Sequence, residues 1–378
     1  MKAIIGTKTL KAAVDKAAFA IESKTTLPIL ANLLISCDKY RQEITVTGTD
    51  LENTVFLFRS AEVLEPGSFT AGAKALKKVM ASIDDDMTTI FHDESASNDE
   101  YTKNMLGVND YKIVGVSADD FPVFATPAFN GAGTQMISLP FSAVERVRAA
   151  ISTDETRYDI NGINLNHGAI TATDGHRLHT VKHSTGMQAP EYDKHHNITN
   201  ADDVNAIVPS SAIKLLARAS YKKEYTGQGL VCGKHLYLGL GGDDYLMVKL
   251  VDGEFPDFSQ IIPQNVDKCA ILDRAGFAKA LKAAMVMSSE MNNGIKITLN
   301  GTIQVSASNP ELGTFSRTVA GDWSEHPAEM ALGFNAKLML DALAQIKEDQ
   351  ALLEVDDELT PAKFTEGDFT AVVMPMRL

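Results

Sequence analysis

The sequence predicts an α+β protein built from three repeated domains, each with two helices packed on antiparallel sheet. One observation is a short alternating pattern of β-branched residues that ends in Asp or Asn and occurs at 44–50, 169–174 and 303–309. Its last residues lie 124 and 135 residues apart in a chain of 378. The other observation is that further helical and strand-like patterns recur in the same order in each third of the chain, which is typical of internal repeats.

Each third begins with an amphipathic helical pattern and contains a second one after several strand-like runs. The first helices are predicted at 7–19, 140–151 and 274–285, and the second helices at 71–83, 209–220 and 334–346. Apolar strand-like runs follow the first helices at 29–35, 160–165 and 293–297. An Asp-Phe-Pro-Val-Phe segment at 120–124 is echoed by Glu-Phe-Pro-Asp-Phe at 254–258. We therefore predict domains at 1–130, 131–266 and 267–378.

The charge of the chain is unevenly distributed. The formal net charge is −14, which alone argues against a polyanionic partner. However, 18 of the 35 basic residues fall on the six predicted helices and their flanks, whereas acidic pairs and triplets fall on predicted loops. If equivalent helices share one side of the molecule, that side is basic. The alternative interpretation is that Lys and Arg simply favour exposed helical positions.

Chemical motifs are sparse. Five histidines, His176, His179, His183, His195 and His196, fall within 21 residues, but no HExxH or paired carboxylate pattern accompanies them, so we predict no metal site. The glycines at 239–242 follow a strand-like run and predict a hairpin turn rather than a nucleotide loop. No nucleophile elbow or catalytic carboxylate pair stands out, so we predict neither catalysis nor a cofactor.

The cysteines and the apolar runs indicate a cellular compartment. Cys37, Cys232 and Cys269 are far apart and odd in number, which does not predict a disulfide framework. No apolar run approaches the roughly 18 residues that a membrane span needs. The N-terminal residues follow a helical pattern with several lysines, unlike a secretory leader. We expect a cytoplasmic protein without a membrane partner.

The last eight residues, Ala-Val-Val-Met-Pro-Met-Arg-Leu, are almost wholly apolar. Chain ends are usually polar and frayed, so this end predicts either a docked strand or the wall of a groove. Pro375 prevents a central strand from continuing through it. The methionines would suit a surface that adapts to several partners. The residues alone favour a docked strand.

These landmarks together resemble those of the bacterial DNA polymerase III β subunit, the sliding-clamp family. The resemblance covers essentially the whole chain and is carried by TLPIL at 26–30, TGTDLE at 47–52, DFP at 120–122, TDGHRL at 173–178, KLVDGEFPD at 249–257, GFN at 333–335 and VMPMRL at 373–378. The TDGHRL and VMPMRL motifs lie nearly 200 residues apart and together are highly specific for the family.

The resemblance implies a DNA-clamp fold that forms a ring as a head-to-tail homodimer. Helices would line the hole and sheets the outer wall, so basic residues would meet the phosphates of duplex DNA independently of sequence. The implied partners are double-stranded DNA, the DNA polymerase III α subunit, the clamp loader and other proteins with clamp-binding peptides. The family tethers a polymerase and does not itself catalyse.

The resemblance also implies three sets of site residues. The peptide groove maps onto Ile160, Thr173, Gly175, His176, Arg177, Leu178, Pro256, Ile261, Val372, Val373, Met374, Pro375, Met376, Arg377 and Leu378. The DNA-facing set comprises Lys24 and Tyr158, joined by the basic helix residues Lys77, Lys78, Arg146, Lys214 and Arg218. The dimer interface maps onto Tyr111 and Ile113 at one end and Val286 and Met287 at the other.

The chain departs from the family pattern at several positions. Gln260 replaces a groove arginine, Asp154 and Asp159 stand where uncharged residues often face DNA, and the stretch 184–205 is longer than usual. These acidic substitutions motivate an alternative function, a divergent peptide-binding decoy that sequesters clamp partners. A metal-dependent enzyme built on the histidine cluster ranks last.

Overall fold

The three alternating segments each form the middle strand of an antiparallel meander. This fold is seen in a computed structural model that describes residues 1–21, 27–92, 105–124, 135–166, 168–182, 204–218, 226–264, 266, 268–289, 292–323 and 329–377. Within these ranges, every helix and strand is assigned to one of three consecutive repeats, whose elements follow the same order.

The first repeat contains β1 (Lys2–Gly6), α1 (Thr7–Ala17), β2 (Asn32–Asp38), β3 (Glu43–Thr49), β4 (Asn53–Ser60), β5 (Glu62–Glu65), β6 (Gly67–Gly72), α2 (Ala73–Ser82), β7 (Met87–Phe91), β8 (Met105–Val108) and β9 (Tyr111–Val114). The second contains β10 (Gln135–Pro140), α3 (Phe141–Val147), β11 (Gly162–Asn166), β12 (Ala169–Thr173), β13 (Arg177–Lys182), β14 (Asn205–Pro209), α4 (Ser210–Arg218), β15 (Thr226–Cys232), β16 (His235–Gly241) and β17 (Asp244–Lys249). The third contains β18 (Cys269–Asp273), α5 (Arg274–Val286), β19 (Gly294–Leu299), β20 (Ile303–Asn309), β21 (Gly313–Val319), β22 (Gly321–Asp322), β23 (Met330–Asn335), α6 (Ala336–Leu343), β24 (Gln350–Glu354), β25 (Ala362–Glu366) and β26 (Phe369–Val373).

Strand pairing follows the repeat. The first strand of each repeat pairs with the strand after the second helix, as β1 with β7, β10 with β15 and β18 with β24. Each meander, β2-β3-β4, β11-β12-β13 and β19-β20-β21, is bordered by the strand before the second helix. All of these pairs are antiparallel, as the sequence predicts. The α+β repeat architecture is therefore confirmed.

Successive repeats are joined by one recurring strand pair. The last strand of the second repeat, β17, pairs antiparallel with β4, the third meander strand of the first repeat. The last strand of the third repeat, β26, pairs in the same way with β13 of the second repeat. We call each such pair a junction. Each junction therefore lies inside one continuous sheet that two repeats share.

The chain divides into two compact units, and each contains one junction. One unit holds the described residues within 1–141 and 211–250, with the eight-stranded sheet β10-β15-β16-β17-β4-β3-β2-β6. The other holds those within 142–182, 204–210 and 251–377, with the nine-stranded sheet β14-β11-β12-β13-β26-β25-β24-β18-β22. The cores of both are filled by apolar residues from the inner faces of sheets and helices.

A small residue occupies the equivalent position in the middle strand of each meander. Gly48 lies on β3, and a Cβ atom there would stand 2.2 Å from the carbonyl oxygen of Ala17 at the end of α1. The equivalent positions on β12 and β20 are the buried Ala172 and Ala307. A larger side chain at Gly48 would force the helix away from the sheet.

Several predicted boundaries were wrong. Residues 28–31 form a short 3₁₀ helix rather than the start of a strand, because Pro28 favours a first helical turn. Ile160 ends another 3₁₀ turn. The second helix of the third repeat begins at Ala336, since the Asn335 side chain accepts from the amides of Lys337 and Leu338 and caps it there. The predicted hairpin at the glycine-rich segment is confirmed between β16 and β17. In the described part of the chain, no helix is long and apolar enough to span a membrane.

Candidate functional site

The turn after β12 is fixed by hydrogen bonds within it. Thr173 Oγ1 donates to the carbonyl of Arg177 at 2.6 Å and accepts from the amide of Gly175 at 3.1 Å. Asp174 Oδ1 accepts from the amides of His176 at 2.9 Å and Arg177 at 3.0 Å. Gly175 has a φ of +88°, a left-handed conformation that suits glycine. The turn therefore presents His176 on the surface in a defined position.

Arg177 itself is largely occupied by neighbouring carboxylates. Its Nε donates to Asp174 Oδ2 at 3.0 Å and its Nη1 to Asp341 Oδ2 on α6 at 2.5 Å. Its side chain is only 9% exposed. The sequence-based role of Arg177 as a peptide donor at the groove rim stays a prediction, and the structure adds that it ties the turn to α6. Sequence reasoning missed Asp341, because the equivalent positions of the other second helices hold Lys78 and Leu215 and the repeat gives no signal for it.

The C-terminal segment lies beside this turn. In register, β26 places Val372 opposite Leu178 and Val373 opposite Arg177. Beyond the strand, the amide of Met374 donates to the carbonyl of His176 at 2.9 Å. The two valines are fully buried, whereas Met374 is 36% exposed. The predicted docked strand is thus present up to Val373.

The residues after Val373 have a different role from the strand. The amide of Met376 donates to the carbonyl of Gly333 at 2.8 Å, and Pro375 and Met376 are half-buried. Arg377 is exposed, and Leu378 lies outside the described residues. The exposed apolar surface of the tail is therefore supplied by Met374, Pro375 and Met376, not by the valines.

The remaining predicted groove residues lie in or near a small apolar cluster. Ile160 is fully buried against Ile207 and Phe255, and Val251 and Phe258 pack on them. In the following segment Pro256 and Ile261 are exposed, the latter by 39%. Gln260 is exposed as well. Ile160 and Leu178 are thus both buried, whereas Pro256 and Ile261 expose apolar surface.

The predicted DNA-facing residues have different surroundings. Lys77 pairs with Asp15 at 3.1 Å, with both side chains about half exposed. Lys78 on α2 and Lys214 on α4 are exposed, as are Arg218 and Tyr158. Lys24 lies outside the described residues. Asp154 is exposed and accepts from the Thr156 amide and hydroxyl, which lowers the pKa of its carboxyl, so it caps a local turn.

Arg146 is held inside the protein. It donates to Glu366 Oε2 at 2.6 Å and to the carbonyl of Gln345 at 2.9 Å, and its side chain is 17% exposed. Glu366 also accepts from the amides of Lys347 and Glu348. Burial raises the pKa of the Glu366 carboxyl, but these amides and the guanidinium outweigh that effect and lower it. The geometry therefore gives Arg146 a structural contact, and its DNA-facing role stays a prediction.

The predicted interface residues lie on an edge strand and a helix end. Tyr111 is 43% exposed on β9, the edge of a five-stranded sheet, and Ser82 Oγ donates to its hydroxyl at 3.2 Å. Ile113, farther along β9, is 5% exposed and faces the core. At the end of α5, Val286 is 67% exposed and Met287 is half-buried.

The histidine cluster does not assemble in the described residues. His176 is exposed, whereas His179 is buried and its Nδ1 lies 3.1 Å from the carbonyl of Arg146. His183, His195 and His196 lie outside the described residues, as does nearly all of the stretch 184–205. Among the residues that the structure describes, no group of three or more His, Cys, Asp or Glu side chains could hold a metal ion.

Comparison with known proteins agrees with this architecture. Three family profiles match in succession: the N-terminal domain of the DNA polymerase III beta subunit at residues 1–125, the central domain at 139–257 and the C-terminal domain at 259–377. The chain belongs to the DNA polymerase III β-subunit family. It therefore has the three-domain clamp fold, with helices and antiparallel sheets, that the sequence predicts.

Relatives within this β-subunit family match along the whole chain. The beta sliding clamp of Pseudomonas aeruginosa is 30% identical over 372 residues, which cover 95% of each chain. That of Caulobacter vibrioides is 29% identical over 396 residues, which cover both chains fully. The crystal structure of the DNA polymerase III subunit beta from Pseudomonas aeruginosa superposes with a TM-score of 0.84 at 27% identity and full coverage of both chains.

Membership of the β-subunit family decides between the functions considered. The relatives are named beta sliding clamps and the similar structures are DNA polymerase sliding clamps, so the function is that of a DNA sliding clamp in replication rather than of a decoy that sequesters clamp partners. A sliding clamp acts as a processivity factor for a polymerase.

Proposed function

We propose that two copies of this chain join head to tail into a closed ring around duplex DNA. The ring slides along DNA without reading its sequence and, through peptides bound in its groove, tethers the DNA polymerase III α subunit, the clamp loader and other partners in the cytoplasm. The chain itself catalyses nothing in this proposal. Its domains are placed at 1–130, 131–266 and 267–378.

One observation supports the ring: two strands are equivalent to the strands that form junctions, but each lies at the edge of its sheet. Inside the chain, the last strand of a repeat pairs with the third meander strand of the repeat before it, as β17 with β4 and β26 with β13. The last strand of the first repeat, β9, and the third meander strand of the third, β21, are edge strands of their sheets. Edge strands present unpaired backbone groups to another strand. A second copy supplies the complementary edge.

The two junctions inside the chain also predict the register of the proposed third junction, between β9 of one copy and β21 of the other. They pair Leu246 with Val55 and Ala371 with His179. Two-residue hairpin turns end at Tyr111, Asp244 and Phe369, which aligns the last strands of the three repeats. The same alignment places Ile113 opposite Phe315 of the second copy. It also places Tyr111 opposite Arg317, where a guanidinium and an aromatic ring attract each other.

A contact between unlike edges is heterologous, so it forms a closed ring only when the rotation between copies closes. Because β9 belongs to the first repeat and β21 to the third, two copies make two identical contacts when they close. Val286, exposed at the end of α5, adds apolar surface on a helix that packs against β21. A ring held by topology needs only weak contacts to DNA, which permits sliding.

The basic helix residues support a DNA-facing surface. Exposed basic residues lie on the first and second helices of the repeats: Lys8, Lys11, Lys74, Lys78, Lys214, Arg218, Lys279, Lys282 and Lys337. Lys74 and Lys337 share the second position of α2 and α6, and Lys77 and Lys214 share the fifth position of α2 and α4. If the repeats are arranged alike, these charges lie on one side. Lysines that contact phosphates give binding without base recognition.

The tail and the turn after β12 support a peptide groove. Met374, Pro256 and Ile261 expose apolar surface, and His176 stands beside Met374 with a side chain able to donate or accept. Short peptides commonly bury an apolar side chain in such a surface while a polar rim fixes their orientation. Gln260 in this segment offers an uncharged amide, so we expect the rim to accept peptides without a required acidic residue.

The ring is tested by mass and by topology. In solution at micromolar concentration, the 40.9 kDa chain should have about twice that mass. After loading by its clamp loader, the protein should stay on a nicked circular duplex and be lost when the circle is linearised. Equal retention on circular and linear DNA would show that the protein binds DNA without encircling it.

The groove is tested by removing the tail after the strand. Deletion of residues 374–378 leaves β26 intact, so the protein should fold and bind DNA normally but lose a fluorescent clamp-binding peptide. Combining the deletion with Arg177→Ala should abolish any residual binding. Leu359→Ala serves as the matched control, because Leu359 is 75% exposed in a loop of the third repeat. Unchanged peptide affinity in the deletion variant would place the binding surface elsewhere.

A further inference from the structure

One side of the proposed peptide groove is a segment without regular secondary structure, residues 256–264, which we call the wall segment. It carries the exposed Pro256 and Ile261. At its first end, Phe255 and Phe258 belong to the apolar cluster described above. Within it, the amide of Ile261 donates to the carbonyl of Phe258 at 3.0 Å, which closes a local turn. A local turn does not by itself fix the second end of the segment on the protein.

Lys363 on β25 contacts that second end. Its Nζ donates to the carbonyl of Pro263 at 3.3 Å and lies 2.9 Å from Glu354 Oε1 on β24. The other oxygen of this carboxylate, Oε2, accepts from the Thr365 hydroxyl at 3.1 Å. Both charged side chains are less than one-fifth exposed. In the part of the chain that the structure describes, no other residue outside the wall segment hydrogen-bonds to it.

The same face of the sheet carries three residues of the proposed groove. Strand register places Thr173 opposite Leu178, Leu178 opposite Val372, Val372 opposite Lys363 and Lys363 opposite Glu354. Directly opposed residues on neighbouring antiparallel strands project from the same face. The row that begins at Thr173, Leu178 and Val372 therefore ends at the ion pair to which the wall segment is attached.

This ion pair is a departure from the repeat. The hairpin alignment makes Met105 and Tyr237 the equivalents of Lys363, and makes Leu230, opposite Tyr237, the equivalent of Glu354. A mostly buried ion pair is often no more stabilising than apolar residues of similar size, because both charges lose their water. Stability alone therefore does not account for the pair. What the lysine adds is a fixed donor for a carbonyl of the wall segment.

We propose that Lys363 is a positioning residue of the peptide groove, which holds the wall segment through the carbonyl of Pro263 beside the face that carries Leu178 and Val372. This inference rests on the proposed groove. Without the contact, the wall segment is held at its first end only, so a peptide must order Ile261 as it binds. A surface that is already ordered binds more tightly, because less conformational freedom is lost on binding.

Substitutions at Lys363 test this role. Lys363→Met removes the donor but keeps a long side chain, and a fluorescent clamp-binding peptide should bind roughly three- to tenfold more weakly. Lys363→Arg can still donate to Pro263 and Glu354, so its affinity should stay within about twofold of the wild type. Lys268→Met is the matched control. Lys268 donates to the carbonyl of Asp356 at 2.5 Å but lies outside the wall segment, so its replacement should leave peptide affinity unchanged.

A double variant separates the loss of the donor from a loss of stability. Lys363→Met leaves Glu354 mostly buried without its charge partner, which lowers stability. Lys363→Met combined with Glu354→Gln removes both charges, so it should unfold like the wild type in denaturant yet bind the peptide as weakly as Lys363→Met. A double variant that binds the peptide like the wild type would assign the effect to the unpaired carboxylate and overturn the inference.

A double-mutant cycle shows whether Lys363 acts through the wall segment. Ile261→Ala truncates a side chain that is 39% exposed, so the protein should fold normally and bind the peptide more weakly. If Lys363 positions Ile261, the two substitutions together should weaken binding by less than the product of their separate effects. Effects that simply multiply would overturn the inference, because Lys363 would then affect binding independently of Ile261.

The outcomes distinguish this inference from the groove itself. A wild-type protein that does not bind the peptide would overturn the proposed groove and the inference with it. A wild-type protein that binds, together with equal affinity in Lys363→Met, would overturn the inference and leave the groove standing. An affinity as low in Lys363→Arg as in Lys363→Met would also overturn it, since restoring the donor to Pro263 would then restore nothing.

Discussion

The guanidinium of Arg146 lies 4.3 Å from the ring centroid of Phe369, the first residue of β26. Together with its ion pair to Glu366 at 2.6 Å, this contact joins α3 of the second repeat to the last hairpin of the third. Both charged side chains are less than one-fifth exposed. A positive charge in this position therefore stabilises the contact between repeats.

Replacement of Arg146 should affect stability more than DNA binding. Arg146→Ala leaves Glu366 partly buried without its charge partner, and we expect the unfolding free energy to fall by about 3 kcal/mol. Denaturant unfolding monitored by circular dichroism measures this. The salt dependence of binding to a short duplex should not change. A lower salt dependence with unchanged stability would instead assign Arg146 to the DNA surface.

Replacement of Lys78 should affect DNA binding more than stability. It is exposed on α2, so Lys78→Ala should leave the unfolding free energy nearly unchanged. If its ammonium neutralises a phosphate, the slope of log K against log salt should become less steep by roughly 0.9 for each such lysine that is replaced. Fluorescence anisotropy with a labelled duplex over a salt series provides the slope. Leu359→Ala, at a distant exposed loop position, is the control.

Protonation of His179 should make stability depend on pH. Burial, with the positive charge of Arg177 adding to it, lowers the pKa of His179 from 6.5 to about 4. Between these values the unfolded chain binds a proton that the folded protein does not. The unfolding free energy should therefore be fully present above pH 6.5 and fall by about 3 kcal/mol as the pH decreases to 4.

The variant His179→Phe isolates this contribution. It keeps an aromatic ring against Phe369 and removes the titrating group, so the decline between pH 6.5 and 4 should become shallower by that amount. Glu366 acts at lower pH, because its lowered pKa contributes stability above its ordinary value of 4.5 that is lost as the pH falls further. Urea unfolding at several pH values separates the two. An unaltered decline in His179→Phe would assign it to other groups.

Asp174 and Asn309, which accept from the amides of equivalent turns, should contribute differently to the unfolding free energy. Asp174→Ala removes the acceptor of two amides and one partner of the mostly buried Arg177. We expect the unfolding free energy to fall by about 2 kcal/mol. Asn309→Ala is the matched control. Asn309 accepts from two amides, but the residue three positions after it is Leu312 rather than an arginine, so the substitution should cost less than about 1 kcal/mol. Equal effects of the two substitutions would mean that the contact between Arg177 and Asp174 contributes little.

Repetition is what made the fold predictable. Alternating β-branched residues at 44–50, 169–174 and 303–309 were enough to place three strands, because such residues favour an extended backbone. Burial alternates along β20, whereas β12 is buried on both faces from Ile170 to Thr173, which the alternation did not predict. Helix ends were less predictable. The start of α6 at Ala336 depends on a side-chain cap at Asn335, and residues 334–335 extend a strand that pairs far along the chain.

The site was predictable only in part, because residues with the same sequence pattern are buried at some positions and exposed at others. Val372, Val373 and Met374 are a continuous apolar run in sequence, yet the valines are buried in a central strand and Met374 is exposed beyond it. Arg146 and Lys78 are both basic residues on helices, but only a carboxylate from a distant hairpin makes Arg146 internal. Such differences depend on partners far apart in sequence, which periodicity does not encode.

The three cysteines should differ in reactivity. Cys37 on β2 is 5% exposed, and burial raises the pKa of its thiol to about 11. Because the thiolate is the reactive form, Cys37 should resist iodoacetamide in the folded protein at pH 8. Cys232 and Cys269 are half-buried and should be alkylated first. Mass spectrometry of peptides from protein labelled with and without urea measures each site, and rapid labelling of native Cys37 would show that β2 opens from the sheet faster than global unfolding allows.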